Sequence, residues 1–321
     1  MRLLSWLAAA ALAISATTVA MAQADFPKRA IKIIAPIPAG SSADLLARIY
    51  ANGLQDKWGV SVVVENRVGA SHNIGADAAW RAPPDGYTLL TAPPPSLALN
   101  KYLFPKLAYD PDTFVPVTVM AEVPNVLVVR PGLDVADIKA LIALAKSKPG
   151  QLSYGSTGKG STLQLSAEAF RNQAGVEFLH VPFTGVPQMI SEMLAGRVDI
   201  TFAPLIDLYP YISAGSLKAL GVGADDPSPE LPGVPTIAAT LPGYHATAWF
   251  AVAAPPKTPP ELVEKLSAAI REAFQQPDGA KAFQNLHAKP ILNKPAEAAA
   301  FIKADSLRWK KVIETNNIVG E

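Results

Sequence analysis

From residue 30 onward, short runs rich in β-branched residues alternate with longer stretches whose apolar positions recur every three or four residues. Residues 31–37 read as a strand, and residues 43–58 place Leu45, Leu46, Ile49, Tyr50 and Leu54 along one helical face. Strands at 60–64 and 87–91 flank a short helix at 73–81, and apolar runs follow at 115–120 and 126–129. A helix at 135–148 stops on Pro149-Gly150. Beyond it come strands at 152–154, 176–181, 198–202 and 217–221, separated by helices at 162–173, 187–195 and 208–214. Alternation of this kind predicts an α/β fold of mostly parallel sheets flanked by helices. The last third departs from it: one strand at 249–253 precedes helices at 260–275, 278–286 and 296–316. Pro and Gly crowd residues 227–243, which read as a surface connection.

Composition narrows the class. Half of the 321 residues are hydrophobic and 17% are charged, and the net charge is only +1, which offers no broad basic face for nucleic acid. A chain of this length favours two domains over one. Thirty prolines lie scattered between the apolar runs and act as loop punctuation. With no cysteine, disulfides, thiolate metal sites and a cysteine nucleophile are excluded. The start has a positive Arg2, an apolar run to Ala20 and small residues at Ala20, Ala22 and Ala24, the pattern of a secretory signal peptide spanning residues 1–24. No later stretch reaches the ~18 uninterrupted apolar residues of a membrane span.

Two strand-to-helix junctions could carry chemistry. The first is Pro36-Ile37-Pro38-Ala39-Gly40-Ser41-Ser42-Ala43-Asp44, and the second runs from Tyr154 through Gly155-Ser156-Thr157-Gly158-Lys159-Gly160-Ser161-Thr162. Glycine lets a ligand approach the backbone, and the first free N–H groups of a helix attract anions. Ser and Thr at such places also cap their own helices, so each loop alone is ordinary, while a pair in two lobes points to a shared ligand. A phosphate loop would need Lys at 161, where Ser161 stands, and Gly69-Ala70-Ser71-His72-Asn73 lacks the last glycine of a nucleophile elbow. His72, His180, His245 and His287 contain no metal-binding spacing. His72 could donate to a ligand, whereas His180 suits a packed position. Asp44 could touch a ligand or stabilise its own helix dipole. Phe183 is the best cleft candidate among the aromatics.

Taken in order, these segments resemble the Bug family, the TctC-like extracytoplasmic receptors of tripartite tricarboxylate transporters. The resemblance runs from about Phe26 to Val319 through Pro36-x-x-Ala39-Gly40-x-x-x-Asp44, Val62-Val63-Val64-Glu65-Asn66-Arg67-x-Gly69-Ala70, and Pro84-Asp85-Gly86-Tyr87-Thr88-Leu89-Leu90. It continues through Tyr154-Gly155-Ser156-Thr157-Gly158, His180-Val181-Pro182-Phe183-x-Gly185, Gly196-x-Val198-Asp199 and Leu241-Pro242-Gly243-Tyr244. The family usually carries glycines where Ser41, Ser71 and His72 stand, often a His at Gln164 and a Lys at Thr184.

The resemblance implies a two-lobed periplasmic binding protein of the Venus flytrap type, type II. Lobe one is expected over residues 25–128 plus 246–321, and lobe two over 129–245. It implies a monomeric periplasmic receptor that closes on a small carboxylate and serves membrane permease subunits, with no cofactor, metal, nucleic acid or catalysis. The expected ligand residues are Pro38, Ala39, Gly40, Ser41 and Ser42; Ala70, Ser71 and His72; Ser156, Thr157, Gly158, Ser161 and Thr162; and Phe183, Thr184 and Ala203. Two other functions compete with transport: a secreted serine hydrolase using Ser71 and His72, and a sensor feeding a membrane kinase.

Overall fold

The computed structural model describes residues 26–320. The expected signal peptide lies outside the described residues. Ten strands join in the order β2-β1-β3-β9-β4-β7-β5-β6, with β8 and β10 also paired to β4. Strands β1 (Ile31–Ala35), β2 (Val62–Asn66) and β3 (Thr88–Ala92) run parallel, and so do β5 (Ser153–Ser156), β6 (Leu179–Pro182) and β7 (Ile200–Pro204). Helices connect them: α1 (Ser42–Trp58), α2 (Asn73–Trp80), α3 (Asn100–Leu103), α4 (Ile138–Ser147), α5 (Thr162–Ala174), α6 (Val186–Leu194) and α7 (Leu205–Ser213).

The centre of the molecule is β4 (Val115–Val129), a strand of 15 residues. Over residues 115–124 it pairs with β9 (Thr247–Ala254), and from Asn125 to Val129 with β7. The edge beside Val126–Val129 is taken by β8 (Lys218–Val222), and Ala121 and Glu122 pair with β10 (Lys289–Pro290). Between Pro124 and Asn125 the strand therefore trades β9 for β7, and the carbonyl of Ala246, just before β9, accepts from Asn125 N–H at 3.1 Å. After β9, helices α8 (Pro260–Gln275), α9 (Pro277–Asn285) and α10 (Pro295–Thr315) cover the first lobe.

Three expectations change. The two apolar runs at 115–120 and 126–129 are one strand, in which the polar residues between them bond inward: Glu122 accepts from Thr247, and Asn125 donates Nδ2 to Ser166. Leu45 is 39% exposed, since the buried stripe of α1 is Leu46, Ala47, Tyr50, Ala51 and Leu54 and Leu45 lies a quarter-turn off it. The 227–243 stretch is not all surface, for Leu231 and Ile237 are buried and Val222 bridges Thr236.

Candidate functional site

The Pro36–Asp44 loop follows β1 because Pro36 ends the ladder, and its shape is held by one carboxylate. Asp44, 2% exposed, accepts from Gly40 N–H at 2.9 Å, from Arg48 Nε at 2.9 Å and from Asn66 Nδ2 at 2.9 Å. Burial raises its pKa, but the bonds from Arg48, Gly40 and Asn66 outweigh that and hold the carboxyl below its usual value. Asp44 thus braces the loop from behind. Gly40 needs its left-handed φ of 81° to aim its N–H inward at that carboxylate. Pro38, Ala39 and Gly40 remain exposed, with Ser41 and Ser42 partly so. Ser41 spends its hydroxyl on Pro38 O at 2.8 Å.

In the second lobe the Gly155–Thr162 loop follows β5 and starts α5. Ser161 caps the helix by accepting from Gln164 N–H at 3.3 Å, while Gln164 Oε1 accepts from Gly160 N–H at 2.7 Å. Ser156 is fully buried, its hydroxyl 2.7 Å from His180 Nε2 and within 3.2 Å of the Gly158 backbone. His180 stacks on Tyr154 at 4.8 Å, which is the packed role expected for it. Thr157, Gly158 and Thr162 stay partly exposed. Phe183 packs partly buried on the core that contains buried Ala203, and Thr184 is exposed and donates to Gln188 at 3.0 Å.

The third segment is strained. Ala70, Ser71 and His72 have φ of 45°, 52° and 77°, three left-handed non-glycine residues in succession. Such a backbone persists only when its surroundings impose it. Here buried Asn100 donates Nδ2 to Ser71 O at 2.8 Å and to Asn73 Oδ1 at 2.6 Å, and Tyr109 donates to Asn73 Oδ1 at 3.1 Å. Burial drives the His72 pKa down against a smaller opposing bond to the Ser71 backbone, so its ring is neutral near pH 7. Among the described residues His72 Nδ1 has no hydrogen-bond partner.

Two residues that sequence reasoning missed tie these pieces together. Three residues beyond Asn100, Leu103 packs on the second-lobe loop so closely that a Cβ on Gly160 would lie 3.0 Å from its Cδ1. Segment 100–103 therefore touches the left-handed turn and the Gly155–Thr162 loop at once. Phe250 of β9 packs against the Ala35, Ile37 and Ala43 cluster and also against the Ala203 cluster. Strand alternation carried the signal: Trp249 is buried on one face, so Phe250 must face the other way.

Two α/β lobes joined by crossing strands, with helix-start loops at the carboxyl ends of β1 and β5, define a type II periplasmic binding protein. More narrowly, the chain belongs to the TctC family, the tripartite tricarboxylate transporter family receptors, whose profile it matches over residues 46–318. It is 35% identical over 291 residues to Protein BugT of Bordetella pertussis, covering 90% of this chain and 89% of that one. Among solved structures, Rpa4515 of R. palustris with adipate superposes with a TM-score of 0.79 at 36% identity, covering 92% of this chain and 99% of that one. MatC (Rpa3494) from Rhodopseudomonas palustris with bound malate gives 0.74 at 30% identity, covering 90% and 100%. The chain is accordingly a solute-binding receptor and not an enzyme.

Proposed function

We propose that this receptor works in the periplasm as a monomer. It captures a small carboxylate between lobe one (25–128 plus 246–321) and lobe two (129–245) and hands it to the permease subunits of a tripartite tricarboxylate transporter. The observation that carries the reading is the pairing of two helix-start loops, one in each lobe, with Phe250 packed between the clusters behind them. Adipate and malate in the two similar structures support the ligand class.

In this reading a carboxylate end rests on backbone N–H groups of Ala39 and Ser42 and of Thr157 and Thr162, assisted by hydroxyls of Ser42, Ser71, Thr157 and Thr162. His72 contributes as a neutral ring. Charge-assisted hydrogen bonds are worth about 1.5–3 kcal/mol each, so three or four reach micromolar affinity, near −8 kcal/mol, after ordering costs. Exposed Ala70 and the partly buried Phe183 favour a ligand with an apolar body, such as a linear dicarboxylate or an aromatic acid, over citrate. Calorimetry across these classes tests the reading. Binding of an elongated or aromatic acid, weakened less than tenfold by Lys159→Ala, is expected. Tightest binding to citrate, unaffected by His72→Ala, would overturn the ligand assignment, and no binding by any carboxylate would overturn the function.

A further inference from the structure

Away from these loops, the described residues hold a second concentration of charge, beside the hinge. Where β4 changes lobes, residues 224–230 of the second lobe face α9 and β10 of the first across a cavity of about 720 Å³, with Glu122 and Pro124 lining it between them. From the first lobe, Lys289 Nζ pairs with Asp226 of this stretch at 3.0 Å and His287 Nδ1 lies 3.3 Å from Glu230; within the second lobe, His245 Nδ1 lies 2.9 Å from Asp225. The His287 ring also packs at a tilt, 4.1 Å from that of Tyr209 of α7. None of these residues belongs to the proposed ligand site.

His245 is the pivot, one residue before the returning strand. Its other nitrogen, Nε2, lies 3.3 Å from Glu122 and 3.2 Å from the Thr247 hydroxyl, which itself donates to Glu122 at 2.7 Å. An imidazolium has two N–H donors and satisfies a carboxylate on each side. A neutral ring has one, and turns a lone pair toward the other carboxylate. The charge of the ring therefore decides whether both contacts can be made.

We propose that His245, set between Glu122 and Asp225, forms with the Lys289–Asp226 pair a proton-operated latch across the hinge that holds the lobes at one mutual angle when its imidazole is charged and releases them when it is neutral. The charges around His245 oppose one another. Burial lowers its pKa and Arg308 of α10 lowers it further, while Glu122 and Asp225 raise it, with a raised value as the outcome. Asp305 of α10 also feels the His245 charge, and Lys289 acts on both Glu122 and Asp225. With the latched value raised above 6.5, the stabilisation is complete below 6.5 and is lost as the pH rises through the higher value. The latch operates whether or not a carboxylate fills the cleft.

Because the chain has no cysteine, Asp56→Cys on α1 and Lys146→Cys on α4, both exposed and in different lobes, give a clean pair of spin-label sites. Distances measured on the ligand-free protein between pH of about 5 and about 9 should narrow on acidification, with a midpoint above the ordinary histidine value. The His245→Asn variant should stay broad at every pH. Asp225→Asn, at a side chain 80% exposed where folding is not at stake, should lower the midpoint. A wild-type distribution indifferent to pH, a His245→Asn variant that keeps the wild-type response, or a midpoint untouched by Asp225→Asn would each overturn the latch. Carboxylate binding at fixed pH is a separate readout, so failure of the latch leaves the receptor reading intact.

Discussion

Asn100→Ala removes the side chain that bonds directly to the backbone of the left-handed turn at 70–72. Its two donated bonds, to Ser71 O and Asn73 Oδ1, are each worth roughly 0.5–1.5 kcal/mol net, so their loss comes to about 2 kcal/mol. Against them stands the cost of three non-glycine residues in the left-handed region, about 1–2 kcal/mol apiece. The two quantities are of the same order. Without Asn100 the turn should therefore relax, and relaxation returns part of the strain. The loss in global stability is consequently capped near 2 kcal/mol, a urea-midpoint shift of roughly 0.7 M for an m-value near 3 kcal/mol/M. Ligand affinity has no such compensation, because Ser71 and His72 leave their positions, and a fall of roughly tenfold or more follows from each ~1.4 kcal/mol lost. Urea titration, calorimetry with the bound carboxylate and hydrogen exchange at residues 70–73 read the three effects. A stability loss under about 0.5 kcal/mol with unchanged exchange at the turn would refute the reasoning, since Asn100 would then not be what imposes the strain.

Ser71→Gly should raise stability by about 0.5–1 kcal/mol, because relief of left-handed strain exceeds the entropy that glycine adds to the unfolded chain, and thermal melting would contradict this if the midpoint fell. Gly160→Ala meets both a φ of 76° and Leu103 at 3.0 Å, so it should cost about 1–2 kcal/mol, part of it recovered when combined with Leu103→Ala; a double-mutant cycle without coupling removes the steric account. Trp249→Phe deletes the 2.8 Å bond to buried Asp305 and should cost about 1.5–3 kcal/mol by chemical denaturation, with a neutral result showing that Arg308 alone suffices for that carboxylate. For pH dependence, His72 in the fold is held below its ordinary 6.5, so the unfolded chain binds the proton first and stability falls as pH drops through 6.5 until the folded ring titrates. His72→Gln should remove that portion of the slope, opposite in sign to the one from His245, and parallel profiles for variant and wild type would dispose of it.

The α/β alternation was legible because most elements bury one simple face, and β1, α2, α8 and the carboxyl-end loops fall where periodicity and turn residues put them. Strand β4 was not legible as one element. Pro124 and the polar pair Glu122 and Asn125 interrupt its apolar run, and proline within a run ordinarily argues against a central strand. Here it sits where the strand trades one set of partners for another. The hydroxyls of Ser41, Ser156 and Ser161 could be listed from the sequence as ligand donors, but what each bonds depends on backbone geometry, and in the fold they reach Pro38 O, His180 and Gln164. Nothing in Ala-Ser-His announces three left-handed residues, because none of the three favours that region, and the Asn100 that enforces it lies 29 positions away. The histidines beside the hinge were likewise invisible as a group, since Glu122 beside His245 and Glu230 beside His287 each come from the opposite lobe.

The position of β9 has a consequence for the order in which the chain can fold. It is inserted between β3 and β4, pairing Leu90 with Ala253 on one side and Val123 with Ala248 on the other. Every residue of the second lobe is synthesised between those partners. A nascent chain that ends before Thr247 holds the second lobe's strands complete, yet the first lobe has a vacant row through the middle of its sheet and none of α8 to α10 to cover it. The amino-terminal lobe is therefore the later one to close. Its completion waits on the last quarter of the polypeptide, and the long loop-closure entropy of joining β3 and β4 through β9 is met only when the other lobe has drawn Asn125 and Ala246 together.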